Sequence, residues 1–207
     1  MADGDTRPSL LLRIRDSHDV DSWRLFVEIY APLIYRSCRR RGLQDADAAD
    51  VGQEVLAQVA RSIRSFEYQS DRGRFRDWLG SVVRSKAARF LEKSGRTIGV
   101  GGSDGPHRVE DQGGAGADPI WVAEFQAHVL AAALERVRPG FEPQTWTAFE
   151  RVWKEGRPAL ETAGALGMSI DSVYLAKSRI LRRLREEVVL LAEDFPLSSA
   201  APGECST

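Results

Sequence analysis

Residues 94–119, SGRTIGVGGSDGPHRVEDQGGAGADP, hold eight glycines and two prolines and have no apolar periodicity, helical or strand-like. A segment of that composition cannot bury enough surface to offset the entropy of ordering it. It predicts a flexible linker. The linker separates residues 1–93 from residues 120–195, each long enough for a small domain of its own. The tail, residues 196–207 (PLSSAAPGECST), has no apolar pattern and is expected to be disordered.

Both halves read as helical, so the expected fold class is all-α. In the first half Trp23, Phe26, Val27, Tyr30, Leu33 and Ile34 recur at three- and four-residue steps. Asp21 or Ser22 could cap that helix, and Pro32 lies inside it as a candidate kink point. A second helix is expected from Asp45, with Val51, Val55, Leu56, Val59 and Ile63 on its apolar side. A third runs from about Arg74 to Lys93. Between them FEYQSDRG reads as a loop. The second half begins with a helix over 120–137, stopped by Pro139-Gly140. A short helix follows Pro143, then PALETAGALG, then a final helix from Ser169 to about Asp194.

The last two helices have helix-turn-helix proportions. Leu160, Ala163 and Leu166 are expected to pack inward, Gly167 to supply a left-handed turn, and Ser169 to cap the second helix. Val173, Ala176, Ile180 and Leu184 form its buried stripe, leaving Asp171, Ser172, Tyr174, Leu175, Ser178 and Arg179 opposite. Residues 171–185 carry five basic side chains against one acidic. Such a helix can enter a major groove; a plain amphipathic pair with a solvated polar face has the same pattern. In the first half, Asp45, Asp47, Asp50 and Glu54 crowd the opening turns of one helix, where the helix dipole alone would favour them. The sign then reverses: residues 72–96 hold eight basic and two acidic side chains, with Phe75, Trp78 and Phe90 interleaved and Phe66 and Tyr68 just before them. Basic residues attract phosphates and exposed aromatics stack on unpaired bases. At helical spacing Phe75, Trp78 and Phe90 also suit a core, so the loop residues Phe66 and Tyr68 are the better contact candidates.

Composition narrows the function classes. With 29 basic and 30 acidic residues the net charge is −1, unlike a protein that holds DNA by itself. No apolar run approaches the roughly 20 residues of a membrane span, so no membrane insertion is expected. The first residues, MADGDTRPSLLLRIRD, lack the pattern of a signal peptide. Two separated cysteines, Cys38 and Cys205, argue against a disulfide framework, and a cytoplasmic location is expected. His18, His107 and His128 are scattered, with no metal-ligand spacing. No nucleophile–base set or phosphate-binding glycine loop points to an enzyme, and no cofactor is expected.

The order of three segments resembles a known family: DADAADVGQEVLAQVARSI, then FEYQSDRGRFRDWLGSVVRSKAARFL, then GALGMSIDSVYLAKSRILRRLRE after the Gly-rich linker. It is similar to the extracytoplasmic-function sigma factors of bacterial RNA polymerase, which have domains two and four only. The resemblance covers about residues 10–95 and 120–192. It implies a factor that binds core RNA polymerase, melts the −10 promoter element with domain two and reads the −35 element with domain four. By resemblance, Asp47, Asp50, Gln53 and Glu54 would dock on the clamp helices of the polymerase β′ subunit. Phe66, Tyr68, Gln69, Arg72, Arg74, Trp78, Ser85 and Lys86 would take the −10 element. Ser169, Asp171, Ser172, Tyr174, Lys177, Ser178 and Arg179 would read the −35 element, with the β flap as a further contact. The linker would thread the polymerase cleft towards the RNA exit path. An anti-sigma factor or a regulatory kinase is an implied partner, and the free protein is expected to be a monomer.

Three positions depart from the family pattern. Ser85 stands where Asn is frequent, Tyr174 where a basic residue is frequent, and Gly52 where a branched apolar residue is commoner. The first two point to an unusual promoter; Gly52 costs about 1 kcal/mol of helix stability relative to Ala. The main alternative is a stand-alone dimeric helix-turn-helix regulator reading a palindrome, and a helical adaptor without a DNA role is the third reading.

Overall fold

Asp19, not Asp21 or Ser22, opens the first long helix. Its carboxylate accepts from the Ser22 amide at 2.9 Å and from the Ser22 hydroxyl at 2.7 Å, so the helix starts two or three residues earlier than expected. The computed structural model describes residues 9–64, 75–95 and 118–192. It is all-α, with no strand among the described residues. Its two compact units are Met1–His128 and Val129–Thr207. Among the described residues no helix is long and apolar enough to cross a membrane.

In the first unit a short helix α1 (Leu10–Arg13) precedes α2 (Val20–Arg40), α3 (Asp45–Ser62) and α4 (Phe75–Lys93). The helix α2 continues unbroken through Pro32. Its buried row is Phe26, Ile29, Tyr30, Leu33, Ile34 and Cys38, and Val27 falls outside it at 39% exposure. Ala48, Val51, Val55 and Val59 of α3 face inward at helical spacing, as do Phe75, Leu79, Val82, Val83, Ala87 and Leu91 of α4. The candidate contact residues Phe66, Tyr68, Gln69, Arg72 and Arg74, most of residues 94–119, and the tail at 196–207 lie outside the described residues.

The helix α5 (Pro119–Val137) starts in this first unit. Residues 118–128 thus group with the N-terminal helices, although the sequence places a domain boundary at 119. Trp121 is 2% exposed, and its indole N–H donates to the Arg76 carbonyl at 2.7 Å. Its ring lies over Gly80, where an added Cβ would stand 2.5 Å from Nε1. Phe125 lies 5.8 Å from Tyr30 and 6.2 Å from Trp121, extending an aromatic cluster that includes Phe26 and Phe75. Arg40 pairs with Glu124, and Arg41 reaches Asp118 at 3.7 Å. Glycine at position 80 permits this approach of one helix to another; any side chain would occupy the indole's place.

In the second unit, α5 ends in a 3₁₀ turn at Arg138–Gly140. The helix α6 (Pro143–Phe149) passes into a π turn at Glu150–Lys154, followed by α7 (Ala159–Leu166) and α8 (Ile170–Leu191). Val137, Trp146, Phe149 and Ile180 form one apolar cluster, and Ala148, Ala163 and Val173 a second. Gly167 has φ +64°, and the Met168 amide donates to the Ala163 carbonyl at 2.9 Å, closing the end of α7. Ser169 caps α8 by accepting from the Ser172 amide at 3.1 Å. The stripe Val173, Ala176, Ile180 and Leu184 is buried as expected. Leu160 is not: it is 69% exposed, because the inward row of α7 runs through Ala159, Thr162, Ala163 and Leu166, and Leu160 sits about 100° off it.

Candidate nucleic-acid interface

The exposed side of α3 is acidic. Asp50, Gln53 and Glu54 face solvent and Asp47 is half-buried. Asp47, Asp50 and Glu54 follow a three-then-four-residue step, so one face of the helix carries all three carboxylates. Asp45, at the start of the helix, is tied to α2 instead: it accepts from the Tyr35 hydroxyl at 2.9 Å and pairs with Arg39 at 2.8 Å. Gly52 lies on this helix with only Ile34 Cγ2 near the place of a Cβ, at 3.9 Å.

The helix α4 turns a basic side outward beside that acidic one. Arg84 and Arg89 are exposed, and Ser85 and Lys86 are half-buried. Gln58, Val82, Ser85, Lys86 and Arg89 line a shallow concavity of about 110 Å³ between α3 and α4. The Lys86 ammonium donates to the Glu54 carboxylate at 3.1 Å. Two residues assigned by resemblance to different partners, Glu54 to polymerase and Lys86 to DNA, are therefore partners of each other. With Glu54 62% exposed this pair adds little stability, and either group can leave it. Trp78 is half-buried, its ring 5.6 Å from Phe75, and Phe75 is in the core.

The first turns of α8 form a third exposed surface. Ser169, Asp171, Ser172, Tyr174, Ser178 and Arg179 are exposed, and Lys177 is half-buried. Along its flank Arg136, Arg179, Arg182 and Arg183 line a concavity of about 290 Å³, floored by Val137 and Phe141 and closed by Glu186. Arg136 and Arg183 are held there by Glu187, at 2.6 and 3.8 Å, and Glu187 is itself 4% exposed. Sequence reasoning missed this pairing; a glutamate at a position continuing the apolar row of α8 was its only trace. Arg179 and Arg182 have no partner among the described residues, which leaves two guanidiniums for an external anion. Also among the described residues, no group of three or more His, Cys, Asp or Glu is placed to hold a metal ion.

Compared with known proteins, residues 26–97 match the family model described as Sigma-70 region 2. The match begins inside α2 at Phe26 and takes in the whole of α3 and α4. No curated protein matches the chain in sequence.

Proposed function

We propose that the chain is a sigma factor of the extracytoplasmic-function kind, which binds core RNA polymerase and directs initiation at its own promoters. The observation that carries this reading is the Sigma-70 region 2 match at residues 26–97, on helices whose exposed faces change from acidic on α3 to basic on α4. In this reading Asp47, Asp50, Gln53 and Glu54 dock on the β′ clamp helices. Trp78, Ser85 and Lys86, with Phe66, Tyr68, Gln69, Arg72 and Arg74 of the preceding segment, hold the melted −10 strand. The pair α7–α8 acts as a helix-turn-helix: Ser169, Asp171, Ser172, Tyr174, Lys177, Ser178 and Arg179 meet the −35 element, and the second unit contacts the β flap. The linker at 94–119 separates domain two from domain four inside the polymerase. The protein acts in the cytoplasm, has no catalytic centre of its own, and offers its two domains to an anti-sigma factor or a regulatory kinase.

The test is run-off transcription with core polymerase from the source organism and a promoter library. The unmodified protein should direct initiation at one pair of motifs. The Asp50→Arg, Glu54→Arg double variant should lose at least about tenfold, because two carboxylates are exchanged for charges that repel a basic partner. Initiation by the variant at the unmodified level would remove α3 from the polymerase contact.

A further inference from the structure

The opening turns of α8 expose a kind of surface that the middle of the helix hides. Ile170, Tyr174 and Leu175 are 40%, 57% and 49% exposed, whereas Val173, Ile180 and Leu184 are buried. Polar and basic side chains rim the three, an arrangement that marks a contact surface. Four-residue spacing sets them in two parallel rows, Ile170–Tyr174–Ser178 and Asp171–Leu175–Arg179. The second row presents in order a carboxylate acceptor, an apolar branch and a guanidinium donor. Base edges in the major groove offer the complement of each: the cytosine amino group donates, the thymine C5-methyl is the apolar feature, and guanine O6 and N7 accept.

We infer that Leu175, with Tyr174 beside it, is a specificity-determining residue that reads thymine methyl groups in the upstream promoter element. The inference rests on the DNA-reading role of α8 proposed above and adds to it the base chemistry and a residue, Leu175, outside the set assigned by resemblance. Charge favours DNA over a protein as the occupant of this apolar face. Lys177, Arg179, Arg182, Arg183 and Arg185 stand along the same helix against Asp171 in residues 171–185, and Arg179 and Arg182 are unpaired among the described residues. Tyr174 also has no hydrogen-bond partner among the described residues, so both contact groups are free to meet a base.

Replacing thymine by deoxyuridine removes the methyl and keeps the base pair, so it isolates the contact. On the promoter selected from the library, each upstream thymine is replaced singly, and initiation by holoenzyme containing the full chain is measured. At one or two positions initiation should fall about three- to fivefold, the worth of one buried methyl. Leu175→Ala should fall by a similar factor on the thymine template and lose nothing more on the deoxyuridine template. Leu175→Met, which keeps an apolar side chain, should retain the dependence on the methyl, and circular dichroism of both variants reports whether the helix is intact. Equal initiation from thymine and deoxyuridine templates at every position overturns the inference and leaves the sigma reading standing. A Leu175→Ala loss that is the same on both templates, with the deoxyuridine effect unchanged, overturns it in favour of a protein contact. Failure to initiate on any template overturns the sigma reading and this inference with it.

Discussion

Cys38 is fully buried on the inner row of α2. Burial pushes its thiol from an ordinary value of 9.0 up to about 11, and the nearby Arg41 guanidinium opposes that only in part. The thiolate is the reactive form, so at pH 8 roughly one molecule in a thousand carries it. In a Cys205→Ser variant, a thiol reagent at pH 8 should therefore leave the native protein unmodified and label it fully once denaturant is added. Rapid labelling of the native variant would contradict the burial. The sign of the pH effect follows. The fold favours the neutral thiol, so its contribution is complete below pH 9, where both states are protonated, and is lost as pH rises from about 9 through 11. Arg41 shares the site: burial lowers its pKa first and the neighbouring Arg40 adds to that, while Asp118 opposes. Asp118 thus helps to keep a half-buried guanidinium charged.

The same stretch poses the clearest question at the level of elements. Trp121 sits where any Cβ at position 80 would be, and its bond to the Arg76 carbonyl and its contact with Phe125 hold it there. Two effects of Gly80→Ala compete. Alanine gains about 1 kcal/mol of helix propensity over glycine. Overpacking a well-filled site costs about 1–3 kcal/mol, and a contact of 2.5 Å demands that the indole move. The clash should win, lowering stability by about 1 kcal/mol in denaturant titration. In a Trp121→Ala background the substitution should become neutral or stabilising, because propensity then acts alone. Equal effects in the two backgrounds would place Trp121 away from α4. Nothing in the sequence announced this contact. The spacing of Trp121 and Phe125 gives a helix face, but Arg76 is 45 residues away and a backbone carbonyl carries no sequence signal. The faces of α3, α4 and α8 were legible because each buries one apolar row against a polar remainder. Leu160 was misplaced because α7 has only eight residues, with Leu160, Ala163 and Leu166 all apolar, and only tertiary packing decides which row turns inward. The candidate site could be proposed from charge and spacing alone; the Glu54–Lys86 bridge could not, since it joins two helices through residues 32 positions apart.

Charge at the level of the whole molecule bears on the proposed contact with DNA. Residues 1–128 hold 19 basic and 19 acidic side chains, and residues 129–207 hold 10 and 11. Neither unit is a basic domain offset by an acidic one; each carries its own compensation. In the first, the carboxylates of α3 stand next to the cations of α4. In the second, Glu187 and Glu186 hold Arg136 and Arg183 and leave Arg179 and Arg182 for outside anions. Long-range attraction to a polyanion is therefore small for either unit, and only groups within about 10 Å of the phosphates act at 0.1 M salt. In the proposed role polymerase supplies the missing attraction and the α3 carboxylates face polymerase. Fluorescence anisotropy on a labelled promoter duplex tests this. The free protein should bind weakly, with little preference over an unrelated duplex and a shallow dependence on salt, because few phosphates are neutralised. Adding core polymerase should produce tight binding that discriminates the two duplexes by on the order of a hundredfold or more. A free chain that binds the promoter as tightly and as selectively as the assembled enzyme would mean that its DNA surfaces suffice alone, and the stand-alone regulator would then be the better account of the fold.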